Sequence, residues 1–499
     1  MRTCGILLPV SSLPSPYGIG CFSEEAYQFV DRLARAGQTY WQILPLGPTG
    51  YGDSPYQSFS AFAGNPYFID LDRLAKQGLL MPEEYQELDF GTDESSVDYA
   101  KLYEQRFPIL KRAFLRADVE NDAEFQKFCR EQQSWLSDYS LYMAVKLHFG
   151  GRSWSEWDED IRLRRPEAVE RYRSLCREEI LFYSFLQFEF TKQWQELKAY
   201  ANARGIRIIG DIPIYVAFDG SDSWANPELF QYNEERCPVR VAGCPPDAFS
   251  ADGQLWGNPL YDWDYHEQTG YAWWIRRLEH CFKLYDVVRV DHFRGFDEYY
   301  AIPYGDRTAA RGCWQTGPGM KMFDALKAHF GVVPIIAEDL GYLTQSVIRL
   351  VKNTGYPSMK VMEFAFDSRE AGDYMPYNYD HNCVVYTGTH DNQTLAAWYD
   401  ELAQEDRALA EEYLHLNGCS REEMVWAFIR LTLESVADTA IVPMQDYLGL
   451  GGEARMNQPS TLGKNWRWRM KEDAFTDGLI KKISRMAELY GRSRKDEMI

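Results

Sequence analysis

Short apolar runs that end in polar residues and turns recur along the chain. Eight are visible: Gly5–Val10, Thr39–Leu46, Arg207–Tyr215, Val287–Asp291, Pro334–Glu338, Met359–Phe364, Val384–Asp391 and Thr439–Gln445. Most are nearly continuous runs of hydrophobic residues of the Val and Ile type, which are typical of parallel strands covered on both faces. Helical patterns such as Gly319–Phe330, Thr344–Lys352 and Ser420–Ser435 lie between the later runs. Strands that alternate with helices predict βαβ units and a parallel sheet.

Eight such units predict an α/β fold, a closed (β/α)8 TIM barrel that forms a single catalytic domain over residues 1–499. An open, doubly wound sheet is the structural alternative. Residues 72–204 are rich in Glu, Gln, Leu, Tyr and Arg at helical spacing and predict an inserted, mostly helical subdomain. Residues 217–280 are rich in Gly, Pro, Asp and Trp and predict a loop-rich insertion. Because insertions after barrel strands lie at the C-terminal face, we expect this one to cover the active-site cleft.

The composition narrows the classes of partner. A formal net charge of −21 would repel the phosphates of nucleic acids and anionic lipid surfaces, so neither is expected as a partner. Aromatic residues make up 15% of the chain, with 15 Trp and 33 Tyr, and aromatic ring faces stack on the apolar C–H faces of sugars. The composition therefore favours a neutral polyol as the ligand.

Cysteine usage and hydropathy predict the cellular location. The ten cysteines are scattered from Cys4 to Cys419, with no C-x-x-C pair and no zinc-type spacing to His. Such usage is typical of reduced thiols in a cytoplasmic protein. No stretch approaches the roughly 18 apolar residues that a membrane span requires, and the apolar run after Arg2 is too short for a secretory signal. We expect no metal and no organic cofactor.

The run Val287–Asp291 places a cation and a carboxylate on one face of a predicted strand. Residues two apart on a strand point to the same side, so Arg289 and Asp291 share a face. A cation beside a carboxylate favours its ionised form. An oriented carboxylate at the C-terminal end of a barrel strand is suited to act as a nucleophile. The alternative is a structural Arg–Asp ion pair at the barrel mouth.

A second predicted strand ends in two adjacent acids, Glu338 and Asp339. A carboxyl group in partly apolar surroundings has a raised pKa and donates a proton near neutral pH. Alternation puts the two side chains on opposite faces of the strand, so we expect one of them to enter the site. The local pattern does not decide which one, and an acid that caps a helix or anchors a loop is the alternative.

A third predicted strand ends at His390 and Asp391. Taken alone, Asp391 is equally consistent with a helix N-cap. Three acids at three strand ends on one barrel face, however, would be a coincidence if each were only structural. Two carboxyl groups that flank a glycosidic bond are the usual apparatus of glycosidases. The three motifs together therefore predict an enzyme that acts on sugar chains through Asp291, Glu338 and Asp391.

These motifs resemble those of the 4-α-glucanotransferases of the amylomaltase (disproportionating enzyme) type, relatives of the α-amylase superfamily. The resemblance runs nearly from end to end. It rests on Gly5–Gly20, Trp41–Gln57, Gly210–Val216, Gly243–Ser250, Gly253–Tyr261 and the three acidic motifs. Two small departures, Cys244 in the Gly-x-Pro-Pro-Asp loop and Ser460 after Pro459, touch no catalytic position.

The resemblance implies roles for the individual residues. Asp291 would be the nucleophile that forms a covalent glucosyl-enzyme, Glu338 the general acid and then the base, and Asp391 the acid that grips the 2- and 3-hydroxyls of the reacting sugar. The implied substrate contacts are Arg289, which orients Asp291; Asp211 and His390 on the same sugar; Ser54 and Tyr56 on the donor side; Phe249, Gln254 and Trp256 in a loop over the cleft; and Tyr51 as an accessory glucan platform. Loop packing is the alternative for Trp256 and Tyr51.

The implied reaction is transfer of an α-1,4-glucan segment to the 4-hydroxyl of glucose or a maltooligosaccharide. A retaining hydrolase of the α-amylase type would use the same acids, and barrel and carboxylates alone do not separate the two reactions. A glucan-binding protein without catalysis is the alternative from another class. It would not need to keep both a nucleophile and an acid/base residue.

Overall fold

The computed structural model describes residues 2–50, 52–246, 252–341, 343–368, 372–416 and 418–493. The strands in these residues are β1 (Thr3–Leu7), β2 (Tyr40–Gln42), β3 (Arg207–Pro213), β4 (Arg240–Cys244), β5 (Gln254–Pro259), β6 (Val287–Asp291), β7 (Glu298–Pro303), β8 (Cys313–Thr316), β9 (Ile335–Ala337), β10 (Ser358–Val361), β11 (Cys383–Tyr386) and β12 (Thr439–Pro443). Each of the eight runs predicted from the sequence contains, or overlaps with, one of these strands.

Eight parallel strands among the described residues form the main sheet, in the order β10-β11-β12-β1-β2-β3-β6-β9. The seam between β9 and β10 is joined by the Ala337 N–H, which donates to the carbonyl of Pro357 (2.9 Å). The Met359 N–H also crosses the seam and donates to the Asp339 carboxylate (2.8 Å). The predicted (β/α)8 barrel is thereby confirmed, and the open doubly wound sheet is wrong.

The barrel interior is filled by side chains rather than forming a pore. One buried apolar cluster takes its members from seven of the eight barrel strands: Leu7, Ile209, Val287, Ile336, Met359, Val384, Tyr386 and Ile441. Inward-pointing layers of this kind are the core of a TIM barrel, and the active site of such a barrel lies above them at the C-terminal mouth. Arg289 follows Val287 by two residues and therefore points inward above this layer, as the alternation predicted.

The helices in the described residues are α1 (Glu24–Arg35), α2 (Leu71–Lys76), α3 (Tyr99–Arg116), α4 (Ala123–Glu131), α5 (Gln133–His148), α6 (Glu159–Arg162), α7 (Pro166–Leu175), α8 (Arg177–Ala203), α9 (Ser221–Ala225), α10 (Trp263–Gln268), α11 (Ala272–Leu284), α12 (Met320–Phe330), α13 (Gln345–Thr354), α14 (Leu395–Glu401), α15 (Gln404–Leu414), α16 (Arg421–Glu434), α17 (Met444–Tyr447) and α18 (Asp477–Leu489). The three predicted helices correspond to α12, α13 and α16. Thr344 and Ser420 stand outside their helices because their hydroxyl groups cap the first turn. None of the helices that the structure describes is long and apolar enough to cross a membrane.

The stretch between β2 and β3 contains α2 to α8. The stretch between β3 and β6 contains α9, β4, β5, α10 and α11. Strands β4 and β5 join β7 and β8 in a second, antiparallel sheet in the order β5-β4-β7-β8. The apolar pattern did not predict this sheet, because its strands are short and interrupted by Gly, Pro and polar residues. The subdomain boundaries at 72–204 and 217–280 stay predictions.

Candidate active site

The three acids singled out from the sequence all lie at the carboxyl ends of barrel strands. Asp291 is the last residue of β6, Glu338 follows β9 directly, and Asp391 lies in the loop after β11. The side chain of Asp291 is 28% exposed and that of Asp391 is 45% exposed, while Glu338 is half-buried. Because the carboxyl ends of parallel strands meet at one face, the fold brings the three acids to the same barrel mouth.

Arg289 joins two carboxylates inside the mouth. Its Nη1 atom donates to both oxygens of Asp211 (2.8 and 2.6 Å), and its Nη2 atom lies 3.0 Å from Oδ1 of Asp291. Asp211 and Arg289 face each other across β3 and β6, so the strand register sets their distance. Burial raises the pKa of Asp211, and the Arg289 guanidinium opposes this shift. The pair with Asp211 fixes the guanidinium, which in turn orients the Asp291 carboxylate.

Glu338 accepts two backbone hydrogen bonds. The N–H of His292 donates to Oε2 (2.7 Å) and the N–H of Leu340 donates to Oε1 (3.0 Å). His292 adopts a left-handed backbone conformation (φ 53°) directly after Asp291. Burial and the nearby charge of Asp291 raise the pKa of Glu338 to about 7, although Arg289 and the two N–H groups act in the opposite direction. A carboxyl group with this pKa exchanges its proton readily near neutral pH.

Asp339 has a different environment from its neighbour. It is buried, and its carboxylate accepts the N–H of Met359 (2.8 Å) at the seam between β9 and β10. Burial raises the pKa of Asp339 as well, but the Met359 N–H and Lys360 oppose the shift. The sequence left the choice between the two acids open. The geometry gives Asp339 a place in the barrel wall and puts Glu338 beside Asp291.

Asp391 is held by a neighbouring loop. The side chain of Asn457 donates to its Oδ1 atom (2.6 Å), and Nη2 of Arg455 donates to its backbone carbonyl (2.8 Å). The Nε2 atom of His390 lies 3.4 Å from the same Oδ1 atom. The N–H of Asn457 also donates to the carbonyl of His390 (3.0 Å). The loop after β12 therefore fixes the loop after β11.

Tyr56 connects the two sides of the mouth. Its hydroxyl group donates to Oδ2 of Asp211 (2.8 Å) and lies 3.4 Å from Nδ1 of His390. The Tyr56 and His390 rings are stacked, with centroids 4.9 Å apart, and Trp466 packs against both. The hydroxyl of Ser54 accepts the N–H of Tyr56 (3.3 Å), which shapes the turn that presents this ring.

Gln254 and Trp256 lie on β5 of the second sheet. Nε1 of Trp256 donates to Oε1 of Gln254 (3.0 Å), and the Trp256 ring meets the His292 ring edge to face, with centroids 4.8 Å apart. Burial lowers the pKa of His292 to about 4, so this ring is neutral at pH 7. Trp256 therefore lies next to His292, which follows Asp291 in the chain and whose N–H binds Glu338. The two remaining predicted contacts, Tyr51 and Phe249, lie outside the described residues.

The sequence reasoning missed four residues of this site: His292, Arg455, Asn457 and Trp466. For His292, the available signal was its position directly after Asp291 in the sequence. Arg455 and Asn457 stand in a short polar segment after the last strand, and polar segments at that place in a barrel often contribute to the site. No pattern in the sequence pointed to Trp466, because its contacts with Tyr56 and His390 bring together distant parts of the chain.

The donor set at the mouth suits a polyol. Among the residues that the structure describes, no group of three or more His, Cys, Asp and Glu side chains is arranged to hold a metal ion. The mouth instead presents carboxylates, a guanidinium, imidazole rings and aromatic rings, which bind sugar hydroxyls and stack on sugar rings. A carboxylate fixed by arginine beside a carboxyl with a pKa of about 7 also matches the nucleophile and acid pair of retaining glycosidases.

Comparisons with known proteins agree with this geometry. The chain is 50% identical over 485 residues to a 4-alpha-glucanotransferase of Clostridium butyricum, which covers 97% of this chain and 99% of that protein. It is 49% identical over 494 residues to a 4-alpha-glucanotransferase of Streptococcus pneumoniae, with coverage of 98% and 97%. The solved structure of amylomaltase from Streptococcus agalactiae in complex with acarbose matches with a TM-score of 0.96 and 43% identity, over 99% of this chain and 100% of that one.

The family assignment is equally direct. The model of glycosyl hydrolase family 77, described as 4-alpha-glucanotransferase, matches residues 8–475. This span includes seven of the eight barrel strands, all except β1, and it includes all three acids. The resemblance inferred from the motifs is confirmed, and the chain belongs to glycosyl hydrolase family 77, the 4-alpha-glucanotransferases.

Proposed function

We propose that this enzyme is a 4-alpha-glucanotransferase that cleaves an α-1,4-glucosidic bond with retention of configuration and passes the glucan segment to the 4-hydroxyl of an acceptor glucose or maltooligosaccharide. The observation that carries the proposal is the pairing of an arginine-held Asp291 with a Glu338 whose pKa is raised to about 7, in a chain of family 77. The donors are α-1,4-glucans and maltooligosaccharides. The ten cysteines are scattered along the sequence without a C-x-x-C pair, which suits a reducing compartment, so we propose a cytoplasmic location.

In the first half of the reaction, Asp291 attacks the anomeric carbon of the donor sugar. Glu338 gives its proton to the oxygen that leaves with the remainder of the chain. Arg289 supports this step because its guanidinium holds one oxygen of Asp291 and leaves the other free to attack. The product is a covalent glucosyl-enzyme, formed with inversion at the anomeric carbon.

In the second half, Glu338 is a carboxylate and removes the proton from the incoming 4-hydroxyl of the acceptor. The acceptor oxygen displaces Asp291, and the second inversion restores the α configuration. Asp391 binds the 2- and 3-hydroxyls of the reacting sugar and favours its distortion towards the transition state, while His390 and Asp211 hydrogen-bond the same sugar. Asn457 and Arg455 support that role because they fix the loop that bears Asp391.

Transfer instead of hydrolysis requires that water stays away from the covalent intermediate. It also requires a sugar hydroxyl held where water would attack. Trp256 beside His292, together with Gln254, supplies an aromatic and amide wall next to the acids. We assign Tyr56, whose hydroxyl group donates to Asp211, and Ser54 to the donor side. Tyr51 as an accessory glucan platform and Phe249 as part of a covering loop complete the proposal.

Incubation of the purified protein with maltotriose tests this function. We expect glucose together with chains longer than maltotriose in the chromatogram, because a transferred maltosyl unit lengthens an acceptor. Glucose and maltose alone, with no longer chain, would identify a hydrolase. An unchanged substrate would identify a glucan-binding protein.

A further inference from the structure

Glu363 is a buried carboxyl group behind the loop that carries Asp391. It follows β10 by two residues at the C-terminal mouth of the barrel, and the residue is 7% exposed. Its N–H donates to the carbonyl of Thr387 (3.2 Å), the first residue after β11. Its Oε1 atom is buried and makes no hydrogen bond with any described residue. The reaction proposed above assigns no task to this acid.

The carboxyl of Glu363 presses against the loop 387–394. A Cβ atom on Gly388 would lie 2.6 Å from Oε1 of Glu363, so a side chain at this position would displace the carboxyl group. The side chain of Asn392, from the same loop, lies close enough to the carboxyl group of Glu363 to lower its pKa. Glu363 therefore meets the loop on both sides of His390 and Asp391.

Asn392 carries this contact onward to Asp391. Its Oδ1 atom accepts both the N–H (2.9 Å) and the hydroxyl (2.7 Å) of Thr389, and that hydroxyl accepts the N–H of Asp391 (3.3 Å). An unbroken series of contacts thus runs from Glu363 through Asn392 and Thr389 to the backbone of Asp391.

We propose that Glu363 is a positioning residue for Asp391: its buried carboxyl group braces, through Asn392 and against Gly388, the loop that presents Asp391 to the reacting sugar. This inference rests on the proposed function and deepens it, because Asp391 acts on the sugar and Glu363 acts through Asp391. Asn457 and Arg455 bind Asp391 itself. Glu363 supports the same loop from the barrel side.

The surroundings of Glu363 favour its neutral form. Burial raises its pKa well above the ordinary value, and the charge of Asp446 raises it further. Glu401 acts in the same direction, whereas Arg455 and Asn392 oppose the shift. Asp446 is itself buried and anchors the loop through the hydroxyl of Thr387 and the N–H of Leu395. A neutral Glu363 carboxyl group avoids a second uncompensated charge beside Asp446.

A set of variants tests the brace, with maltosyl fluoride as an activated donor so that slow variants stay measurable. Glu363→Ala should lower kcat about 10- to 30-fold with KM changed less than about threefold, because Asp391 acts mainly in the transition state. Glu363→Gln should stay within about twofold of the wild type, since the neutral amide has the shape of the neutral acid. Glu401→Gln removes an exposed carboxyl from the same region and should also stay within about twofold.

A double-mutant cycle separates positioning from a general loss of structure. In the Asp391→Asn background, Glu363→Ala should cost less than about twofold, because the group through which it acts is already impaired. An equal loss in both backgrounds would overturn the proposal, as would an unaffected Glu363→Ala or an inactive Glu363→Gln. If Glu363→Ala does not fold, Asn392→Ala takes its place in the cycle. This variant must show the same loss of kcat and the same non-additivity with Asp391→Asn, and a fully active Asn392→Ala would overturn the proposal. Transfer by the wild-type protein from maltotriose, measured alongside, reports separately on the proposed function.

Discussion

The two sides of the barrel mouth hold their acids in different ways. On the side of β3, β6 and β9, Asp211, Arg289 and Asp291 lie on neighbouring strands, and Glu338 follows directly after the third. On the side of β11 and β12, Asp391 lies in a loop, is 45% exposed and depends on Asn457 from another loop. The first side therefore takes its geometry from strand register, and the second takes it from loop packing.

This difference fits the role that we propose for each side in the reaction. Bond making and bond breaking need the nucleophile and the acid at fixed positions to within a fraction of an ångström, and strands provide such positions. The groups that grip the hydroxyls must follow a ring that changes shape during the reaction, and loops tolerate that movement. Loss of the buried Arg289–Asp211 pair on the strand side should affect catalysis and folding together, whereas changes on the loop side should affect catalysis alone.

The largest effect is expected from Asp291→Asn on the strand side. An amide does not attack the anomeric carbon, so kcat should fall on the order of 10⁴-fold. The Arg289–Asp211 pair stays in place, so the far-UV circular dichroism spectrum should be unchanged. Transfer from maltotriose, followed by chromatography, measures the loss. A variant with more than about a tenth of wild-type activity would refute the role of Asp291.

Removal of the acid gives the next largest effect. Glu338→Gln should lower kcat about 10²- to 10⁴-fold with maltotriose. The loss should be smaller with maltosyl fluoride, whose leaving group needs no proton. Asp339→Ala is the matched control: it should keep the proton-transfer chemistry but destabilise the fold by about 1–3 kcal/mol, since the Met359 N–H loses its acceptor. Equal losses of kcat in the two variants would argue against separate roles.

A matched pair of substitutions contrasts the two sides directly. Arg289→Met leaves the buried Asp211 carboxylate without its cationic partner and should lower the free energy of unfolding by about 3–5 kcal/mol, along with activity. Asn457→Ala removes one hydrogen bond to a half-exposed carboxylate and should lower kcat about 10-fold. Thermal unfolding of Asn457→Ala should match the wild type. A large drop in the midpoint of its thermal unfolding would show that the loop side contributes as much to stability as the strand side.

The pH dependence supplies the smallest effect on the strand side. Glu338 must be protonated for the first step, so kcat/KM should decline as pH rises through about 7, the value to which burial and Asp291 raise its pKa. Because the pKa of Glu338 is raised in the folded state, protonation of this carboxyl group stabilises the fold. That stabilisation is complete at pH values below the ordinary pKa of Glu and is lost as pH rises through about 7. Glu338→Gln should abolish both dependences. An unchanged alkaline limb in that variant would assign the titration to another group.

The sequence predicted the strand side better than the loop side. Val287–Asp291 has the same bounds in the structure, because a continuous apolar run buried on both sides is a strong local signal. Alternation along it also placed Arg289 and Asp291 on one face. The run predicted as Val384–Asp391, in contrast, ends as a strand at Tyr386, because its last residues turn away to form the loop that Asp446 and Glu363 support.

Contacts between distant segments were beyond the reach of the pattern. Asn457 and Asp391 are 66 positions apart in the sequence, and nothing in either segment predicts that their side chains are hydrogen-bonded. The pattern also left Glu338 and Asp339 equivalent. Their difference arises from tertiary structure, since the N–H groups of His292 and Leu340 surround one carboxyl and the Met359 N–H binds the other. The resemblance to a family supplied that choice before any geometry was known.

One measurement tests the proposed mechanism most directly: the mass of the peptide that contains Asp291 after reaction of Glu338→Gln with maltosyl fluoride. The fluoride leaves without a proton, and the missing base slows the second half of the reaction, so the covalent intermediate should accumulate. We predict one maltosyl unit attached to Asp291 and its release when glucose is added as an acceptor. An adduct on another residue, or complete turnover without any adduct and with inverted product, would contradict the account.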